Sequence, residues 1–178
     1  MTPLSYALLA LIDLQPRSGY LLRKVFETTP LGNYSSSPGS IYPALKSLEK
    51  ASLVRTDDTR SARGNRGRGL YHLTVAGETA LHAWLAAPIG DLGEAMLRFA
   101  FLPENDRAAV LAFLDSFETA AEAQAVGLKS FLAGEGARLM STKSRLAVEH
   151  GHRQLEASAE WARVAREQYC QKEEGENS

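Results

Sequence analysis

The chain has 178 residues, 44% of them hydrophobic and 23% charged, with a formal net charge of −1. Such proportions indicate a soluble globular protein of one domain or two small ones. No apolar run approaches the ~20 residues of a membrane span. The start, Met-Thr-Pro-Leu-Ser-Tyr, has neither the basic stretch nor the cleavage site of a secretory signal. The single cysteine, Cys170, excludes an intrachain disulfide. The expected location is the cytoplasm. Charge is spread unevenly. Residues 1–87 carry ten Lys/Arg against six Asp/Glu, a balance of +4, whereas residues 88–178 carry ten against fifteen, a balance of −5. A basic front half suits a nucleic-acid module joined to something else, although chance partition also produces asymmetries of this size.

Residues 3–14 are nearly all apolar and rich in Ala and Leu, which predicts a buried helix with Thr2 as cap and Pro3 in its first turn. Gln15-Pro16-Arg17 ends it. Ser18 then caps a second helix, Gly19 to about Thr28, whose Leu21, Leu22, Val25 and Phe26 follow the helical period. A third helix follows the loop at 29–33. In the stretch 35–54, Ile41, Leu45 and Leu48 form one narrow apolar stripe. Gly39, Tyr42, Pro43 and Lys46 share the opposite face. That face offers a small residue, an aromatic hydroxyl, a proline and a cation, with no acid among them, and suits a phosphate-lined groove. Ser35, Ser36, Ser37 and Ser40 offer caps at the amide-rich helix start, which attracts phosphate. Pro43 is tolerated only near a helix start, so the helix should begin between Ser37 and Ser40. The plainer alternative is an ordinary amphipathic surface helix.

Leu53-Val54-Arg55-Thr56 and Leu70-Tyr71-His72-Leu73-Thr74 predict two strands around a basic, glycine-rich loop at 59–69. Arg60, Arg63, Arg66 and Arg68 lie in that loop with no acid between them. It either follows a phosphate backbone or reaches into a minor groove, or is simply a solvated loop. Thr74 caps a fourth helix, Val75 to about Ala87. Pro88-Ile89-Gly90-Asp91 marks the expected boundary between a domain at 1–88 and a second at 89–171. The charged tail 172–178 is expected to be disordered.

The back half reads as helical throughout: a short helix within 92–102, a long one at 104–133, and a last one at 137–170. Two helices so long and so thinly apolar want a partner chain. Phe113, Leu114, Phe117, Leu146 and Leu155 are the expected dimer contacts across a two-fold axis. Catalytic chemistry is not apparent. His150 and His152 are two apart on a helix and point away from each other, so they form no metal pair. The glycines at 64, 67 and 69 lack the strand and helix that a dinucleotide site needs. No metal or cofactor is expected, and the chain reads as a non-enzyme.

Three stretches together are similar to the PadR family of winged-helix transcriptional regulators. They are Ser18-Gly19-Tyr20-Leu21, the run Ser37-Pro38-Gly39-Ser40-Ile41-Tyr42-Pro43-Ala44-Leu45-Lys46-Ser47-Leu48-Glu49, and Tyr71-His72-Leu73-Thr74-Val75-Ala76-Gly77. Leu92 to Phe99, Glu149-His150-Gly151 and Glu160-Trp161 support the likeness more weakly. Ser52 stands where the family usually has glycine. The resemblance implies a mainly α protein: an N-terminal winged helix-turn-helix with a two-stranded wing, and a C-terminal helical dimerisation domain. It adds Ser18, Tyr20 and Tyr71 to the expected DNA contacts. It also implies a homodimer on a palindromic double-stranded operator, acting as a repressor and relieved by a small aromatic or hydrophobic effector. Tyr6, Met96, Phe99 and Trp161 are candidate ligand walls, the plainer reading of each being an ordinary core residue. A winged-helix module that binds an acidic protein instead of DNA is the alternative.

Overall fold

The computed structural model describes residues 1–34, 38–57, 69–103 and 105–176. It contains helices α1 (Pro3–Leu14), α2 (Gly19–Thr28), α3 (Ile41–Lys50), α4 (Val75–Leu85), α5 (Leu92–Phe99), α6 (Arg107–Ala133), α7 (Glu135–Arg138) and α8 (Thr142–Glu176). Strands β1 (Arg17–Ser18), β2 (Val54–Thr56) and β3 (Leu70–Leu73) form one antiparallel sheet in the order β1-β3-β2. Two short 3₁₀ turns, Pro30–Tyr34 and Pro38–Ser40, lead into α3. The chain divides into two compact units, Met1–Ala87 and Pro88–Ser178.

The mainly helical class expected from the sequence is the one observed. In the first unit α1 supplies the centre of the core, with Ala7, Leu8 and Leu9 fully buried. Thr2 accepts the Ser5 amide and Pro3 opens the helix, which satisfies a donor that the helix itself cannot pair. α3 and α4, with Ile41, Leu45, Leu48, Leu81 and Trp84 buried, pack against α1, and α2, with Leu22 and Phe26 buried, packs against α3. Burying the three α3 side chains contributes roughly 5–9 kcal/mol gross, at ~1.5–3 kcal/mol each. That sum is an upper bound, yet it is ample to fix which face of α3 points outward. The Tyr6 and Trp84 rings stack with centroids 4.6 Å apart.

The sheet has three strands where the sequence predicts two. The extra strand, β1, pairs Arg17 with Tyr71 and Ser18 with Leu70. Two residues are too few to show an alternating pattern, and their partners lie far along the chain. Between α3 and β2 the backbone turns at Ser52, with φ of 58°. Serine takes up the left-handed conformation that glycine usually supplies there. Thr74 ties this turn to α4. Its hydroxyl donates to the Ser52 carbonyl at 2.7 Å, and its oxygen accepts the Gly77 amide at 3.1 Å.

In the second unit α6 and α8 run antiparallel: Arg166 bridges Asp115 and Glu118 at one level, and Leu128 meets Gly151 at another. Ala95, Val110, Phe113, Leu114, Phe117 and Ala162 form its core. Trp161 packs edge-on to Phe99 and Phe117, with centroids 5.4 and 5.6 Å away. The expected helix at 104–133 begins at Arg107, because Asp106 caps it by accepting the Ala109 amide. The expected last helix is in fact two. Ser141 accepts the Ser144 amide and starts α8 afresh after the short α7. At the other end α8 continues to Glu176, into the stretch expected to be disordered. Gln171, Lys172, Glu173 and Glu174 are good helix formers, so a helix already under way propagates through them.

Candidate nucleic-acid interface

The outward face of α3 is built from its inward one. Ile41, Leu45 and Leu48 are 0%, 0% and 3% exposed. With those positions held inward, the helical period turns Tyr42, Pro43, Lys46 and Glu49 to solvent. All four are exposed, Tyr42 by 45%. Pro43 is the third residue of the helix, where its missing N–H costs no internal bond. Ser40 lies in helical conformation and makes no side-chain cap bond, because the Pro38–Ser40 turn leads straight into α3. Gly39 is exposed and Ser40 half-buried beside this start.

Ser18 is not presented to solvent. It is 9% exposed, and its hydroxyl accepts the Leu21 amide at 3.3 Å, so it serves as the cap of α2. Tyr20, the second residue of α2, is 41% exposed. Tyr71 lies on the central strand, flanked by Arg17 on β1 and Thr56 on β2. Burial raises its phenol pKa above the usual 10.0; the Glu49 carboxylate and then Tyr42 push the same way. Glu49, Tyr42 and Tyr71 therefore form one neighbourhood. Ser37, Arg60, Arg63, Arg66 and Arg68 lie outside the described residues.

Sequence reading missed several polar groups of this region. Glu49 accepts the Thr56 hydroxyl at 2.8 Å, joining the end of α3 to β2. Glu49 lies seven residues after Tyr42, so the same helical period places both on one face. At the edge of the hairpin Asp57 accepts Arg55 Nη1 at 2.9 Å and meets His72 Nε2 at 2.6 Å. Arg55 and His72 are cross-strand partners, a juxtaposition readable only once the strand register is known. Among the described residues no group of three His, Cys, Asp or Glu side chains could hold a metal ion. No helix among them is long and apolar enough to cross a membrane.

The candidate dimer and ligand residues divide between core and surface. Phe113, Leu114 and Phe117 are buried within the second unit of a single chain, so their burial needs no partner. Leu146 is 57% exposed. Leu155 and Met96 border an apolar groove of ≈610 Å³, together with Leu92, Phe117 and Leu128. Phe99 and Trp161 join the aromatic cluster of the second unit, and Tyr6 stacks on Trp84 in the first.

A three-helix core with a polar-faced third helix, followed by a hairpin and a closing helix, defines a winged helix-turn-helix of the DNA-binding kind. Residues 8–83 match the Transcriptional regulator PadR-like family, a span that takes in almost the whole first unit. That unit is therefore similar to the PadR-like family of transcriptional regulators. No curated protein matches the sequence. Among solved structures, the PadR-like transcriptional regulator BC1756 from Bacillus cereus is 18% identical, with 95% of this chain and 99% of that one covered and a TM-score of 0.42. Bacillus subtilis PadR in complex with operator DNA is 23% identical, covering 93% and 98%, with a TM-score of 0.38. Bacillus subtilis PadR in complex with p-coumaric acid is 21% identical, covering 94% and 98%, with a TM-score of 0.41. The TM-scores are low, and the likeness to the family rests on the sequence match over residues 8–83.

Proposed function

We propose that the protein is a homodimeric, sequence-specific DNA-binding repressor, acting by binding rather than catalysis, whose hold on a palindromic operator is relieved by a small aromatic or hydrophobic ligand. The observation that carries this reading is the face of α3. Tyr42, Pro43 and Lys46 stand outward on a helix whose other side is locked into the core. A rigid helix with such a face can enter a major groove, and the arginines of the 59–69 loop follow it in sequence as candidates for phosphate contact. Two copies related by a two-fold axis would meet half-sites about 34 Å apart on one face of the duplex. A ligand that favours a different spacing lowers operator affinity, and one without such a preference changes nothing.

The test is selection of duplexes from a random pool by the full-length protein, followed by salt titration of the best. A DNA-binding regulator retains a palindrome, prefers it by ~10³-fold or more over scrambled sequence, and loses affinity steeply with salt. A protein-binding module retains no duplex preferentially. Sedimentation at micromolar concentration reads the dimer; a monomer there removes it. For the effector, p-coumaric acid is the first probe, in a Trp84→Phe variant so that Trp161 alone reports. No change in emission or operator affinity with this or related phenolic and planar cationic compounds removes the ligand and leaves the DNA reading standing.

A further inference from the structure

Gly19 is the first residue of α2 and is buried, immediately after the cap Ser18. A β-carbon built on it would lie 2.9 Å from Tyr42 Cε1, 3.4 Å from Tyr42 Cδ1 and 3.4 Å from Leu45 Cδ1. One edge of the Tyr42 ring thus rests directly on the α-carbon of residue 19. Glycine is the poorest ordinary helix former, costing up to ~1 kcal/mol relative to alanine in a helix. Its φ here is not in the left-handed region, so conformational freedom does not explain its presence. Room for the Tyr42 ring does.

The neighbourhood of that ring adds to the case. Tyr42 also bears on the ionisation of Tyr71 on the central strand. Leu45, the other side chain against Gly19, is fully buried and cannot yield. Tyr42 is 45% exposed and can. An added methyl group would therefore leave the core alone and push the tyrosine ring outward, by about 0.5 Å or into another rotamer.

We infer that Gly19 is a positioning residue for the interface: by presenting bare backbone to Tyr42 it sets the angle at which that ring leaves α3. The inference rests on the DNA-binding reading above and extends it to a residue that would itself touch no DNA. It separates two effects that usually travel together. Stability should barely change on adding a methyl group here, because the group displaced is the free end of an exposed side chain. Recognition should change, because the displaced group is the one presented to the groove.

The experiment uses four full-length proteins: wild type, Gly19→Ala, Tyr42→Ala and the double variant. Each is measured by urea unfolding and by affinity for the duplex selected on wild type. Gly19→Ala is expected to unfold near the wild-type midpoint and to bind about tenfold more weakly. Tyr42→Ala binds weakly as well. In that background Gly19→Ala has no further effect on affinity, because the ring it displaces is gone. Equal losses in both backgrounds, or full affinity in Gly19→Ala, overturn the proposal. A second reading needs no DNA. In protein carrying 3-fluorotyrosine, the fluorine resonance assigned by Tyr42→Phe should shift in Gly19→Ala; an unmoved resonance overturns the proposal too. A wild type that retains no duplex defeats the DNA-binding reading and with it any recognition role for Gly19, while the fluorine shift still decides whether residue 19 sets the ring.

Discussion

Gly77→Ala is expected to be among the more damaging single-methyl changes in the first unit. Residue 77 lies in the first turn of α4, where alanine would ordinarily improve the helix by about 1 kcal/mol. Here the new carbon would stand 2.0 Å from the Leu53 carbonyl oxygen and 3.0 Å from its carbon. A carbon and a carbonyl oxygen settle at about 3.3 Å or more, so α4 and the 52–53 turn must part by more than ~1 Å. Backbone cannot rotate out of the way as a side chain does. The separation strains two bonds at once: Thr74 N to the Leu53 carbonyl at 3.1 Å, and the Thr74 hydroxyl to the Ser52 carbonyl at 2.7 Å. Each is worth about 0.5–1.5 kcal/mol net, and overpacking adds about 1–3 kcal/mol. After the helix gain of about 1 kcal/mol is subtracted, the expected loss is about 1–5 kcal/mol. For a unit of this size that corresponds to a fall of roughly 5–40 °C in melting temperature. Circular dichroism melts and urea titrations at 222 nm read it directly. A Gly77→Ala protein that melts within ~2 °C of wild type would show that α4 does not bear on the Leu53 carbonyl as described.

Four further outcomes follow from the same geometry. Ser52→Gly should raise stability by about 1 kcal/mol, because glycine takes the observed φ of 58° without the side-chain clash; a lower urea midpoint contradicts this. Gly127→Ala on α6, where nothing lies within 4 Å, should also stabilise, by about 0.5–1 kcal/mol; a lower midpoint contradicts open space at that position. Lys46→Ala should flatten the slope of log affinity against log salt by about one unit on the selected duplex, and an unchanged slope takes Lys46 off the interface. Tyr71 has its phenol pKa raised in the fold, so the neutral form is favoured there. The stability this supplies is fully present below pH 10 and is lost as pH rises through the raised value. Tyr71→Phe should remove that component of the alkaline stability loss, seen as a flatter profile of unfolding free energy against pH above 10.

Much of the first unit was legible because its signals are local. Thr2, Ser18 and Thr74 all cap the helices that follow them, since a hydroxyl placed before an apolar run has an unpaired amide within three residues to satisfy. The α3 stripe of Ile41, Leu45 and Leu48 announced both the helix and its outward face, because 3.6 residues per turn link the two. Proline at 43 and the missing glycine at 52 likewise carried their own meaning, one for where α3 begins and the other for the left-handed turn between α3 and β2. Ser141 was less legible. It restarts a helix by capping, but within a polar stretch where no apolar stripe marks the boundary.

The tertiary structure decided whatever depends on residues far apart in the chain. β1 exists only because β3 lies beside it, and two residues have no period of their own to read. The Arg55–Asp57–His72 cluster depends on strand register, and the Glu49–Thr56 bond on how α3 meets the hairpin. Phe113, Leu114 and Phe117 show the same limit. A helical period says that one face is apolar, but not whether that face is covered by α5 and α8 of its own chain or by another copy. The room that Gly19 leaves for Tyr42 and the backbone contact at Gly77 are of this kind as well. A glycine in a sequence records an absent side chain, and only packing shows which neighbour occupies the space.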